Sequence, residues 1–244
     1  MSIHLTADLI EIGLMLASLL LTAAIFRKRV QTGWLLASIG AILVGAVAIT
    51  EGFGLIPEPA IFDRLRFGWF VFALLGAVSL AMIAAIPNGW QRAGLTLAQN
   101  GPGVRAALIV SLAVCALITW MGTQDIFGAP RFSLEPLLYN ALAVGPAEEL
   151  FFRGVIFALV LEAFGARKVM LSAEMNWGMI PAALVFGFAH FTSTPGGEEI
   201  AFNYFPTLWT TLGGFILAWL RQASGSLLLP YVVHVYGNNI HYLV

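Results

Sequence analysis

Long apolar runs, each stopped by charges, prolines or glycines, set the pattern of this chain. Eight of them extend over about Leu9 to Phe26, Trp34 to Thr50, Phe67 to Ile86, Val104 to Met121, Pro136 to Ala163, Trp177 to Phe191, Pro206 to Leu220 and Ser226 to Val244. Each comes near the roughly 20 apolar residues, within a range of about 17 to 25, that carry a helix across the hydrocarbon of a bilayer. The breaks fall at Arg27-Lys28-Arg29, Pro57 and Pro59, Pro87-Asn88-Gly89, Asn100-Gly101-Pro102-Gly103, Pro130 and Pro195-Gly196-Gly197, all residues that punctuate helices. The pattern predicts an all-α fold, a polytopic membrane helix bundle of about eight transmembrane helices. The sixth run is short for a span, and tilt, cover by protein or extra residues before Trp177 would have to complete it. No internal repeat stands out and no linker is long or polar enough to divide the chain, so residues 1–244 read as a single membrane domain.

Composition agrees with lipid as the solvent: 59% of the residues are hydrophobic, 10% are charged, and mean hydropathy is +0.88. A net charge of −1 offers no basic surface to neutralise phosphates, which argues against nucleic acid as a partner. Cys115 is the only cysteine, so no internal disulfide or thiolate cluster is expected, and it reads as a small core residue. The first run has its basic cluster after it rather than before it, opposite to a cleavable signal peptide, and reads as a retained helix. No lipidation signal is evident, leaving the helices as the membrane anchor. With the N-terminus outside, Arg27, Lys28, Arg29, Arg92, Arg105, Arg167, Lys168 and Arg221 fall on the cytoplasmic side, against Arg64, Arg66 and Arg131 outside. That bias is consistent with eight helices and both termini outside, and it is ordinary for a multi-pass protein of a bacterial inner membrane.

An ionisable side chain at mid-membrane costs at least about 2.5 kcal/mol even on a lenient insertion scale, so each one needs a reason. The fifth run carries Gly145-Pro146-Ala147-Glu148-Glu149-Leu150-Phe151-Phe152-Arg153, the sixth Phe186-Gly187-Phe188-Ala189-His190, and the eighth His234-Val235-Tyr236-Gly237-Asn238. Glu149 and Arg153 are four apart and share a helix face, where an ion pair makes both tolerable. Glu148 points about 100° away and has no such partner in its own segment. At a rise of about 1.5 Å per residue, Glu148 and His190 lie roughly 20 Å, and His234 roughly 12 Å, from the inner ends of their helices, so the three can meet at one level. His234 and Asn238 share a face of the last helix.

Hydrolysis by an activated water suits these groups. Desolvation makes a carboxylate a stronger base. Glu148 fits that role. His190 could hold the same water or pass its proton to the leaving amine, and His234 and Asn238 could donate to the oxyanion. Ser/His/Asp catalysis finds no Gly-x-Ser-x-Gly elbow. A proton-coupled transporter would also use intramembrane Glu and His, although the polar groups are confined to the second half; the first half contributes little beyond the edge charges Asp8, Glu11 and Glu51. A non-catalytic membrane scaffold is a third reading.

Glu148-Glu149-x-x-x-Arg153, Phe186-x-x-x-His190 and His234-x-x-x-Asn238, in this order on successive helices, resemble the CPBP family, also called Abi or type II CAAX prenyl endopeptidases. The resemblance covers roughly Pro136 to the C-terminus. It makes 136–244 the catalytic helices and 1–135 accessory ones. It implies a glutamate-dependent intramembrane peptidase with no cofactor: Glu148 and His190 would activate water, His234 and Asn238 would form the oxyanion site, and Glu149 and Arg153 would support them. The substrate implied is a membrane-associated protein or peptide, such as a prenylated C-terminus, a bacteriocin-like precursor or a C-terminal sorting tail. Zinc held by Glu, His and His is the alternative, although His-Glu-x-x-His is absent.

Overall fold

The computed structural model describes residues 2–50, 56–62, 64–65, 67–124 and 132–243. Glu51, Arg66, Pro130, Arg131 and Val244, named above, lie outside the described residues. The helices in chain order are α1 (Ile3–Ile25), α2 (Thr32–Ile49), α3 (Trp69–Ala85), the short α4 (Gly89–Ala93), α5 (Val104–Thr123), α6 (134–163), α7 (Met179–Phe188), α8 (Tyr204–Ser224) and α9 (Leu228–Asn239). Each of the eight apolar runs is occupied by one of these helices. Among the described residues, α1, α2 and α5 are long and apolar enough to cross a membrane by length and composition, and α3 and α7 are shorter apolar helices.

The outer helices are apolar on the side that faces away from the bundle. On α5 only Ala107 and Ser111 are buried, while Leu108, Ile109, Leu112, Leu117 and Trp120 are exposed. Such a surface belongs against lipid, which must surround an integral membrane protein. The hydroxyls that these helices carry are turned onto their own backbone: Ser18 donates to Met15 O, Ser79 to Leu75 O and Ser111 to Ala107 O. These donors are not left bare in hydrocarbon.

The centre is α6, buried without a break from Phe151 to Leu161. Its winding changes along its length. Hydrogen bonds of the i→i+5 type run over Asn140–Val144 and again over Glu149–Ile156, separated by one α-helical turn at Gly145–Glu148. Wide turns of this kind are uncommon and collect at functional sites. Pro146 explains part of the change, because it has no N–H to give. In the register of the preceding turn its target would be the carbonyl of Ala141, and the Tyr231 hydroxyl of α9 donates to that oxygen at 2.8 Å.

Small residues let the other helices close on α6 and α7. A Cβ on Gly145 would collide with Val235, one on Gly45 with the Phe151 ring, and one on Gly187 with Thr211. Close approach through glycine is how helices associate where apolar burial gives no preference for protein over lipid.

Two hairpins depart from the all-helical expectation. β1 (Lys168–Met170) pairs with β2 (Ala173–Met175), and β3 (Thr192–Ser193) with β4 (Ala201–Phe202), both antiparallel. The first turns through Leu171 and Ser172, both at positive φ; the second brackets Pro195-Gly196-Gly197.

Candidate functional site

Glu149 and Arg153 are each 2% exposed and form the expected ion pair, with Arg153 Nη1 3.0 Å from Glu149 Oε1. The angle falls short of a hydrogen bond, and Arg153 Nη2 and Glu149 Oε2 have no hydrogen-bond partner among the described residues. The guanidinium instead lies 3.9 Å from the centre of the Phe186 ring, a cation–π contact strengthened by the dry surroundings.

Glu148, without a partner on its own segment, finds one on α9. His234 stands between the two glutamates: its Nδ1 is 2.7 Å from Glu149 Oε1 and its Nε2 3.6 Å from Glu148 Oε2. An ionised carboxylate only accepts, so Nδ1 carries the proton and the bond fixes the ring plane. The separation from Nε2 to Glu148 exceeds a direct hydrogen bond and is one that a shared water or a reacting group can bridge. Glu148 and His234 are each 9% exposed. Tyr139 sits in an aromatic cluster with Phe67, Trp69 and Phe72.

His190 lies two residues beyond the last residue of α7. Its Nδ1 is 2.9 Å from Phe186 O; a carbonyl can only accept, which places the proton on Nδ1 and leaves the Nε2 lone pair free to accept. Phe186 touches both histidines. It meets His190 edge-on at 5.0 Å and His234 at 5.8 Å between ring centroids. Asn238 is half-buried; its backbone oxygen accepts from Asn140 Nδ2 at 3.3 Å, and among the described residues no hydrogen bond joins its amide to Glu148 or His234. The structure thus brings Glu148, Glu149, Arg153 and His234 into direct contact, and among the described residues neither His190 nor Asn238 makes a hydrogen bond or ion pair with that group.

Several residues beyond the motifs hold this arrangement. Asn140 Nδ2 donates to Asn239 Oδ1 at 2.9 Å, and Asn239 Nδ2 to Leu137 O at 3.4 Å, a cross-helix amide pair beside the site. Glu11, in sequence an edge charge, reaches from α1 to Thr192, accepting from its backbone N–H and its hydroxyl at 2.8 Å each. It therefore fixes the segment directly after His190, and the accessory half contributes to the site. An isolated Asn in the fifth run and an isolated Glu in the first were the only signals for these contacts. As for zinc, no group of three or more His, Cys, Asp and Glu side chains is assembled to hold a metal among the described residues; the proposed donor His190 faces Phe186.

Residues 130–240 match the family model described as type II CAAX prenyl endopeptidase Rce1-like. The match covers the C-terminal segment, under half of the chain. All six motif residues fall inside the matched range, and Glu11 falls outside it. No curated protein and no solved structure matches the chain.

Proposed function

We propose that the chain is a glutamate-dependent intramembrane endopeptidase that cleaves a membrane-associated protein or peptide by activated water, without a metal. The observation that carries this reading is His234 seated between Glu148 and Glu149 on the buried helix α6. The match of residues 130–240 to the type II CAAX prenyl endopeptidase family model supports it.

In this mechanism Glu148 takes a proton from water as its oxygen attacks the scissile carbonyl carbon. The C=O electrons move to oxygen, and a donor must meet that charge. His234 supplies one through Nε2 when its ring is charged. Asn238 provides a second donor. The proton then passes to the leaving amine as the C–N bond breaks, with His190 Nε2 as the relay. Glu149 orients His234, and Arg153 compensates Glu149. The helices of residues 1–135 are accessory to those of 136–244 in one domain, and the eight helical runs span a bacterial inner membrane with both termini outside.

The test is cleavage of a panel of prenylated CAAX peptides and hydrophobic precursor peptides by detergent-purified protein. Wild type and Glu148→Gln are compared, each with and without a chelator. Cleavage that survives chelation and is lost in the variant supports the proposal. Cleavage abolished by chelation and restored by zinc would replace it with metal-dependent hydrolysis. Wild-type activity retained by Glu148→Gln would remove Glu148 as the base. A folded wild type that cleaves none of the panel would turn the reading toward a scaffold or a proton-coupled transporter.

A further inference from the structure

A second polar site lies at the other end of α6. Glu162 is fourteen residues beyond Glu148, roughly 20 Å along the helix. Around it opens a cavity of about 350 Å³, lined among others by Arg92, Glu162, Arg167 and Arg221 and by the amides of Asn88 and Gln222. This is the size of a small-molecule pocket. Three guanidiniums face one carboxylate, leaving a net charge of +2.

The single carboxylate is already taken. Glu162 Oε1 pairs with Arg92 and also with Arg167. Arg221 has no acidic partner among the described residues. It is 7% exposed, its Nε donates to Ala93 O at 3.4 Å and its Nη1 to Gln222 Oε1 at 2.7 Å. Its Nη2 is buried with no hydrogen-bond partner among the described residues, and the Arg167 charge repels it. A guanidinium buried against a like charge with a free N–H is unfavourable unless an anion joins it. Arginine forks match the oxygens of a phosphate.

The surroundings indicate where such an anion comes from. Gln31 N donates to Ala163 O, and Gly101 N donates to Ser224 O. These contacts bring the segments carrying Arg27, Lys28, Arg29, Arg92, Arg105 and Arg221 to the same end of the bundle. Basic pockets between helices on the cytoplasmic side are recognised by anionic lipid headgroups.

We propose that this cavity binds a phosphate group through Arg92, Arg167 and Arg221, separately from the glutamate site. The phosphate is carried by an anionic phospholipid or is free in solution.

The test uses the full chain, delipidated in maltoside micelles, with the thermal midpoint followed by tryptophan fluorescence. Inorganic phosphate is titrated against chloride of equal ionic strength, and phosphatidylglycerol against phosphatidylcholine. Saturation, at ligand about 100-fold above half-effect, should raise the midpoint by at least about 5 °C. A rise with phosphatidylglycerol alone assigns a lipid headgroup; a rise with both probes shows that phosphate suffices. Arg167→Gln should raise the half-effect concentration about tenfold, and Glu162→Gln, which removes the competing carboxylate, should lower it. A merely structural cluster would lower the midpoint in both variants without moving the ligand dependence. Either that result, or equal shifts with chloride and with phosphatidylcholine, overturns the proposal, and neither readout depends on peptidase activity.

Discussion

Replacing Arg153 with methionine tests whether the buried charges of α6 act as one unit. The guanidinium is the cation 3.0 Å from Glu149, and both side chains are 2% exposed, so solvent cannot stand in for the missing partner. Removing one member of such a pair costs about 3–5 kcal/mol. For a chain of this size, about 2–4 °C of thermal midpoint is lost per kcal/mol, which predicts a fall of about 6–20 °C for Arg153→Met. The double variant Glu149→Gln/Arg153→Met removes both charges together, and its midpoint should recover most of the loss, because a neutral pair of similar volume is often as stable as the ionic one. Its cleavage should not recover. The carboxamide introduced by Glu149→Gln would still accept from His234 Nδ1 but without the carboxylate charge, so the histidine keeps its place and loses its electrostatic support. Midpoints from tryptophan fluorescence and cleavage rates on one preparation separate the two effects. A fall of less than about 2 °C in the single variant, or a double variant as unstable as the sum of the singles, would refute the coupling.

Other outcomes follow from individual contacts. Glu148→Gln should leave the midpoint within a few degrees and reduce cleavage by at least about 100-fold, as loss of a general base does; a smaller decrease measured at saturating substrate would argue against the base role. Asn239→Leu removes the acceptor for Asn140 on the neighbouring helix and should cost about 0.6–1.7 kcal/mol, read as a lower midpoint, since inter-helix hydrogen bonds in membranes are of that size. Glu11→Gln keeps an oxygen for both Thr192 donors and should retain most cleavage activity, whereas Glu11→Ala should lose about tenfold; equal rates for alanine and wild type would show that α1 does not hold the segment after His190.

The sequence by itself determined the helices and where the ionisable residues fall along them. In lipid every backbone polar group must be satisfied within its own segment, so an apolar run of the right length has few options besides a helix. The observed helices accordingly occupy the predicted runs. Spacing of four along one helix is a local property as well, which made the Glu149–Arg153 pair legible. Partners on different helices were another matter. Whether a side chain touches another across the bundle depends on the rotation, depth and separation of two helices, and no local pattern encodes these. The tertiary structure therefore decided that His234 lies between both glutamates, that Asn239 rather than its neighbour Asn238 makes the amide pair with Asn140, and that Glu11 reaches Thr192 across 181 residues of chain. Winding was hidden for the same reason: Pro146 announces a disturbed helix, but the hydroxyl that completes it comes from Tyr231. The Lys168–Met175 hairpin escaped notice because Leu171 and Ser172 take positive φ where Asn-Gly would normally mark the turn. The buried Ala173 and Met175 anchor the hairpin, and that packing exists only once the helices have come together.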